Sequence, residues 1–126
     1  MQKTIGITLI VFAAVASSQE RRMVKYEIDG TAKYANITWN NGAGGTEQKQ
    51  VKLPYEEEFS GPVGMLAYVS AQKTKVTRSS GYDRNEVLSD GVQGTVHVTV
   101  KINYRKVGEA ESDAPFGIAK ASGKVE

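Results

Sequence analysis

The stretch Thr95-Val96-His97-Val98-Thr99-Val100-Lys101-Ile102-Asn103-Tyr104 alternates polar and apolar side chains from its first residue to its last. A period of two is typical of a β-strand, because successive side chains of a strand point to opposite faces of a sheet. We therefore expect one wet face and one buried face, the latter formed by Val96, Val98, Val100, Ile102 and Tyr104. From Val24 onward no window carries the stripe of an amphipathic helix, so the sequence predicts an all-β fold.

Shorter segments with the same period lie on both sides of this stretch, and turn-forming residues separate them. The expected strands are Val24–Ile28, Ala35–Trp39, Gln48–Leu53, Met65–Ala71 and Phe116–Val125. The turn signals are Asp29-Gly30, the Asn40–Gly45 loop and Pro54, while Gly117 and Gly123 suggest bends or bulges. About seven short strands with this spacing predict one immunoglobulin-like, Greek-key β-sandwich over residues 24–126.

One segment, Lys73–Gly94, breaks the alternation. It contains Ser79-Ser80-Gly81 and Asp90-Gly91, with only a weak apolar pair at Val87-Leu88. This pattern predicts a long loop or an irregular hairpin. Long loops on rigid β scaffolds often carry function while others are simply mobile, and the sequence leaves both interpretations open.

Residues 1–16 have the order of parts of a secretory signal peptide. A positively charged start precedes the apolar run Ile5–Val15, and Ala14-Val15-Ala16 places small residues before a cleavage point. We expect cleavage after this triplet, with Ser18 as the alternative, and a flexible linker at residues 17–23. The run is shorter than the about 20 apolar residues that span a membrane, and an uncleaved anchor is the other interpretation. The sequence therefore predicts a bacterial protein that is exported, either periplasmic or secreted.

Composition narrows the possible activities. The 126 residues contain 16 Lys and Arg against 14 Asp and Glu, a formal net charge of +2, and loss of Lys3 with the signal segment would leave +1. Interspersed charges of both signs disfavour nucleic-acid binding, because a row of phosphates requires clustered cations. The chain has no Cys, which excludes disulfides, thiolate zinc sites, a cysteine nucleophile and the lipid anchor of bacterial lipoproteins. The length is that of one domain.

Several pieces of the chain, in this order, resemble the mycobacterial membrane protein small family, MmpS, and its wider bacterial relatives. The pieces that carry the resemblance are Val24–Ala32, Ala35–Asn41, Gly44–Gln48, Val51–Tyr55, Tyr68–Gln72, Val98–Ile102 and Ala119–Gly123. The resemblance implies a β-sandwich outside the cytoplasmic membrane and a role in assisting an exporter of the resistance-nodulation-division (RND) class. The chain departs from the mycobacterial members in its short apolar run and in the length of Lys73–Gly94.

Three motifs could carry chemistry, and each has a plainer interpretation. His97 is the only histidine, and we expect it on the wet face of its strand without the Gly-x-Ser-x-Gly motif of a hydrolase. Glu56-Glu57-Glu58 could bind calcium or act as acid and base, but consecutive residues of an extended segment do not converge, so an edge-protecting charge run is expected. The Gly42–Gly45 loop lacks the Lys-Ser or Lys-Thr of a phosphate cradle. We therefore expect no catalytic, metal or cofactor site.

Aromatic residues offer the remaining candidate site. Trp39, Tyr55 and Tyr68 could form an apolar ligand groove, although Trp39 shares its strand face with Ala35 and Ile37 and is expected in the core. Asn36-Ile37-Thr38 matches a glycosylation sequon, which we discount because it lies inside an expected strand of a bacterial chain.

These features favour a non-catalytic extracytoplasmic accessory or binding domain. Its expected partner is a membrane transporter, another envelope protein or an apolar small molecule. The alternative is a structural or adhesive surface module that acts through a sheet edge or through residues 73–94. An enzyme ranks third, because no acid, base and nucleophile can be named together.

Overall fold

The computed structural model describes residues 20–74, 76–79, 85–88 and 93–126. Those residues form ten β-strands: β1 (Arg21–Asp29), β2 (Tyr34–Asn40), β3 (Thr46–Lys52), β4 (Tyr55–Pro62), β5 (Leu66–Lys73), β6 (Val76–Ser79), β7 (Asn85–Leu88), β8 (Val96–Ile102), β9 (Arg105–Ser112) and β10 (Ile118–Lys124). No helix occurs among the described residues.

Eight of these strands form two antiparallel sheets that pack face to face. The first sheet has the order β4-β1-β8-β9, and the second sheet has the order β10-β5-β2-β3. The prediction of an all-β sandwich is thereby confirmed. Within the two sheets only β2–β3 and β8–β9 are hairpins. The other connections pass from one sheet to the other, including the expected turn at Asp29-Gly30 between β1 and β2.

The core between the sheets is built from the alternating apolar side chains. The first sheet contributes Val24, Tyr26, Ile28, Val96, Val98 and Val100, and the second contributes Ala35, Ile37, Trp39, Ala67, Val69, Ala71, Ala119 and Ala121. Because β5 and β10 supply mainly alanines, the two sheets approach most closely along that side, where β8 and β9 face them. Trp39 and Tyr26 fill the wider side, where the Phe59 ring lies 5.5 Å from that of Tyr26 between centroids.

The narrow side is closed where the edge strands β9 and β10 meet. A Cβ atom added to Gly108 would stand 2.5 Å from the carbonyl oxygen of Ser122, and one added to Gly123 would stand 2.4 Å from Cγ2 of Val107. Residues without a side chain permit this approach of two backbones. Gly123, which was expected to bend the last strand, therefore allows β10 to pack closely against β9.

Strand ends differ from the sequence expectation at two places. β8 ends at Ile102, because Asn103 and Tyr104 adopt φ angles of 51° and 64° and turn the chain into β9. Tyr104 is consequently 66% exposed, and the expectation that it joins the buried face is wrong. β1 begins at Arg21, inside the expected linker 17–23, where it pairs with Pro62 of β4.

The segment Lys73–Gly94 contains a two-stranded antiparallel pair, β6 with β7. Of the two structures expected there, its described residues adopt the hairpin. Residues 75, 80–84 and 89–92 of that segment lie outside the described residues, as do the expected signal peptide at 1–16 and residues 17–19.

Candidate binding face

The outer face of the second sheet is the most distinctive surface of the molecule. In two adjacent rows of this sheet, alternation along β2, β3 and β5 places six uncharged polar side chains outward: Asn36, Thr38, Gln48, Gln50, Ser70 and Gln72. We call this set the amide face. These residues, together with Ile37, Lys49 and, at one margin, Ile118, line an open groove of about 550 Å³.

The register of the strands explains why this surface is a groove. One row across the sheet reads Gln50, Asn36, Gln72 and Ile118, and the next reads Gln48, Thr38, Ser70 and Lys120. In the second row the short side chains Thr38 and Ser70 lie on the central strands β2 and β5, while long side chains flank them. A sheet with short residues in the middle and long residues at both sides forms a trough along the strands.

Most polar groups of the amide face are unused inside the protein. Gln72 donates a hydrogen bond from Nε2 to the carbonyl oxygen of Phe116 at 2.9 Å. The side chains of Asn36, Gln48 and Gln50 are exposed and make no hydrogen bond to another described residue. Thr38 and Ser70, which are half-buried, also keep their hydroxyls free of described partners. The groove therefore presents donors and acceptors that are available to a ligand.

Few charged side chains point outward from the described strands of the second sheet. The outward positions of β2, β3, β5 and β10 carry three lysines, Lys52, Lys120 and Lys124, and no carboxylate. The lysines stand on the edge strands β3 and β10, at the margins of the groove.

The outer face of the first sheet differs from the amide face, because ion pairs cover it. Lys25 lies 3.5 Å from a Glu27 oxygen and 3.4 Å from a Glu56 oxygen, and Lys101 lies 3.1 Å from Glu27. The pair between Lys25 and Glu27 lies within β1, and the other two pairs join diagonal neighbours on β4, β1 and β8. Many charged groups of this face are therefore occupied by one another, although Glu58 and Glu111 have no partner among the described residues.

His97 belongs to the same ion-paired face. Its Nδ1 lies 3.0 Å from Oδ1 of Asp29 on β1, and its Nε2 lies 2.9 Å from Oε2 of Glu109 on β9. Partial burial lowers the pKa of His97, but hydrogen bonds and charge from Glu109 and Asp29 outweigh it and hold the pKa above its ordinary value. On the other side of Glu109, Lys106 approaches to 2.6 Å, and Lys106 and His97 together lower the pKa of that carboxyl. Both ring nitrogens of His97 are therefore engaged.

The open side of the sandwich, between the edge strands β3 and β4, carries a separate polar cluster. The Tyr55 hydroxyl donates to Oε1 of Glu57 at 2.5 Å, and Lys49 Nζ lies 5.3 Å from the centre of the Tyr55 ring. Burial, the hydrogen bond to Glu57 and the charges of Glu57 and Glu47 raise the pKa of Tyr55 to about 12. This cluster places charged groups along both open sheet edges.

The residues singled out by sequence do not form one site. Trp39 is buried in the core, Tyr55 lies at the open side and Tyr68 alternates outward on β5, so these aromatics share no groove. Glu56 and Glu58 are exposed on the edge strand β4, while Glu57 takes the other face. The Gly42–Gly45 loop closes the β2–β3 hairpin, with Asn41 Oδ1 accepting from the amides of Ala43 and Gly45.

Sequence reasoning missed two features. The first is the amide face, which includes Asn36, a residue considered only as part of a sequon. The sequence pattern that could have revealed this face is the lack of charge at the polar positions of the strands of the second sheet. Lys73 was seen only as the first residue of an irregular segment. It is 1% exposed, and its Nζ donates to the carbonyl oxygens of Gly94 at 2.6 Å and Asp113 at 2.8 Å. Lys73 precedes the segment that contains β6 and β7, and Gly94 follows it. The two hydrogen bonds of Lys73 therefore connect both ends of that segment to the β9–β10 connection, where Asp113 lies.

The described residues form a β-sandwich with one ion-paired face and one grooved face without carboxylates. No protein-family model matches the chain, and no curated protein has a significantly similar sequence. The resemblance to the MmpS family therefore stays a prediction. Over the described ranges, no group of three His, Asp or Glu side chains is arranged to hold a metal ion. The described residues also include no helix that is long and apolar enough to cross a membrane.

Proposed function

We propose that the protein is an exported binding domain without catalytic activity of its own, and that it binds its partner through the amide face. The observation that carries the proposal is the groove itself. Its lining includes six neutral hydrogen-bonding side chains, and five of them have no partner among the described residues. Polar groups that the fold leaves unpaired and concentrates in one concave surface are suited to recognition.

The sequence of the N-terminal segment supports export. A short apolar run followed by Ala14-Val15-Ala16 has the features of a cleaved signal peptide, and the expected cleavage leaves four residues before Arg21, where β1 begins. The new N-terminus would be Ser17.

The contacts of His97 support a non-catalytic role. A histidine that activates a hydroxyl nucleophile needs one ring nitrogen directed at that hydroxyl. Here carboxylates occupy both nitrogens, and the arrangement joins three strands of one sheet. The geometry is that of a structural ion pair.

A surface module acting through a sheet edge is supported less well than one acting through the face. The edge strand β4 carries the exposed residues Glu56 and Glu58, and the edge strand β3 carries Glu47, Lys49 and Lys52. Charged residues on an edge strand oppose pairing with another strand. The amide face has no such barrier.

Hydroxyl-radical footprinting tests the proposal without knowledge of the ligand. The purified protein is oxidised alone and in the presence of the cell-envelope fraction, and modification is read by mass spectrometry. We expect protection of Tyr34, Tyr68 and Ile118 on the second sheet, and none of Tyr104 or Met23 on the first. Protection confined to the β4 edge, or equal protection of both faces, would refute binding through the amide face. A separate intact-mass measurement tests export: the chain recovered from outside the cytoplasm should begin at Ser17, and a chain that still begins at Met1 would refute cleavage.

A further inference from the structure

We propose that the amide face binds a hydroxyl-rich, uncharged segment of a polysaccharide. The inference rests on the proposed function and names the chemical class of its ligand. It is carried by the hydrogen-bonding chemistry, the shape and the charge of the groove.

The hydrogen-bonding groups match those of a sugar. A primary amide holds one acceptor and two donor hydrogens in a plane, and a sugar hydroxyl both donates and accepts, so adjacent hydroxyls can pair with one amide. Gln50, Asn36 and Gln72 stand side by side on adjacent strands, about 4.8 Å apart along the row. Thr38 and Ser70 add hydroxyls in the next row. A ligand with many neutral hydroxyls is the partner that satisfies such a set.

The shape favours an oligomer over a single sugar unit. The groove is lined on β2 by Asn36–Thr38, and the same face continues along that strand from Tyr34 to Asn40, roughly 20 Å in all. Tyr34 lies beyond the first row, and Tyr68 lies beyond the second, opposite Asn40, so an aromatic residue stands toward each end of the same face. Aromatic rings offer apolar faces to the C–H surfaces of a sugar ring.

The charge of the face discriminates against other ligand classes. Three separated lysines at the margins and Lys49 in the lining are too few and too dispersed for a phosphate backbone. Protein interfaces depend on a central cluster of large apolar or aromatic side chains, whereas the groove floor is Thr38 and Ser70. A neutral polysaccharide requires neither feature.

Calorimetric titration with defined glycans tests the inference. The panel contains linear tetra- to hexasaccharides of glucose, mannose, galactose and N-acetylglucosamine, with polygalacturonate as an anionic comparison. We expect at least one neutral oligomer to bind, with an affinity that changes less than about twofold between about 0.05 and about 0.5 M salt, because no charged pair forms. Asn36→Ala and Gln50→Ala should each weaken binding by about tenfold, the loss expected from two neutral hydrogen bonds.

Controls separate a lost contact from a lost fold. Gln93→Ala removes an exposed amide outside the groove and should leave the affinity unchanged. Ser70→Arg fills the trough without deleting an amide and should abolish binding, while circular dichroism verifies that each variant stays folded. The inference is overturned if no neutral oligomer binds, if only the anionic polymer binds, or if the Asn36 and Gln50 variants bind like Gln93→Ala. If the envelope fraction still protects the amide face when no glycan binds, the ligand is another envelope component, so the inference fails while the proposed function stands.

Discussion

Tyr26 shows how one side chain holds the two sheets together. It extends from β1 in the first sheet to the second sheet, where its hydroxyl donates to the carbonyl oxygen of Asn40 at 2.7 Å and accepts from the amide of Tyr68 at 3.1 Å. The pairing of β2 with β5 ends at Trp39 and Val69. The hydroxyl thus bonds to the next backbone groups of these two strands, which do not pair with each other. Burial raises the pKa of Tyr26 to about 12, in spite of the hydrogen bond from Tyr68.

Replacement of this tyrosine by phenylalanine tests the contribution of the hydroxyl. Tyr26→Phe keeps the ring in the core but leaves one carbonyl and one amide without their partner, and an unpaired buried polar group costs about 1–3 kcal/mol. We expect the free energy of unfolding in urea to fall by that amount. Tyr104→Phe is the matched control, since Tyr104 is 66% exposed and should change stability by less than about 0.5 kcal/mol. Equal effects of the two substitutions would refute the role of the Tyr26 hydroxyl.

At the scale of residues, periodicity predicted burial poorly at strand ends and well inside strands, except that Thr99 of the expected wet face is only 5% exposed. Val96, Val98 and Val100 are buried as expected, since alternation fixes which face each side chain takes. Tyr104 fits the same alternation but lies past a turn that begins with Asn103, a residue tolerant of positive φ. A hydrophobic pattern does not indicate where the backbone turns. The error therefore lies in local backbone conformation, and the assignment of faces was sound.

At the scale of elements, the strands that escaped notice are the ones with a weak apolar pattern. β4 and β9 are edge strands of the first sheet, and most of their side chains face solvent or an open side of the sandwich. β9 also contains a bulge opposite Val100–Lys101, which shifts its alternation by one residue. Edge position and bulge are set by neighbouring strands, so the segment alone does not reveal them.

The contact between β9 and β10 provides a test at this scale. Gly108→Ala adds a Cβ atom that would stand 2.5 Å from the carbonyl oxygen of Ser122, so the two edge strands must separate. Forcing extra volume into such a contact costs about 1–3 kcal/mol, which a shift of the denaturation midpoint in urea would measure. Gly45→Ala in the β2–β3 loop is the control, because its nearest neighbour is the Asn41 amide at 3.4 Å. Similar stabilities for both variants would show that β9 and β10 do not require this close approach.

At the scale of the whole molecule, the two sheets have the same core-facing pattern and opposite outer surfaces. The first sheet places Glu27, Asp29, Glu56, Glu58, Glu109 and Glu111 outward, whereas the second places no carboxylate there. The sequence shows that β2, β3 and β5 have uncharged polar positions, but the groove exists only after the register brings those positions together. Class and core could be predicted from periodicity, whereas the binding face depends on cross-strand neighbours that are distant in sequence.

The ion-paired face links the stability of the whole fold to pH through His97. Asp29 on β1 and Glu109 on β9 contact the ring of His97, and Lys106 pairs with Glu109. Glu111 on β9 lies directly across from His97. The folded protein holds the pKa of His97 above the value of 6.5 that applies when the chain is unfolded. The protonated ring therefore stabilises the fold fully below pH 6.5, and this contribution disappears as the pH rises through the raised pKa.

We expect His97→Gln to lower the free energy of unfolding at pH 5.5 by up to about 1 kcal/mol, the range of partly exposed ion pairs, and by less at pH 9. Urea denaturation of both proteins across this range measures the difference. Lys124→Gln removes an exposed charge from the second sheet and should shift stability by a similar amount at both pH values. A difference between wild type and His97→Gln that stays constant or grows toward alkaline pH would contradict the linkage. Such a result would mean that the carboxylates of β1 and β9 hold His97 by geometry alone, with no preference for its charged form.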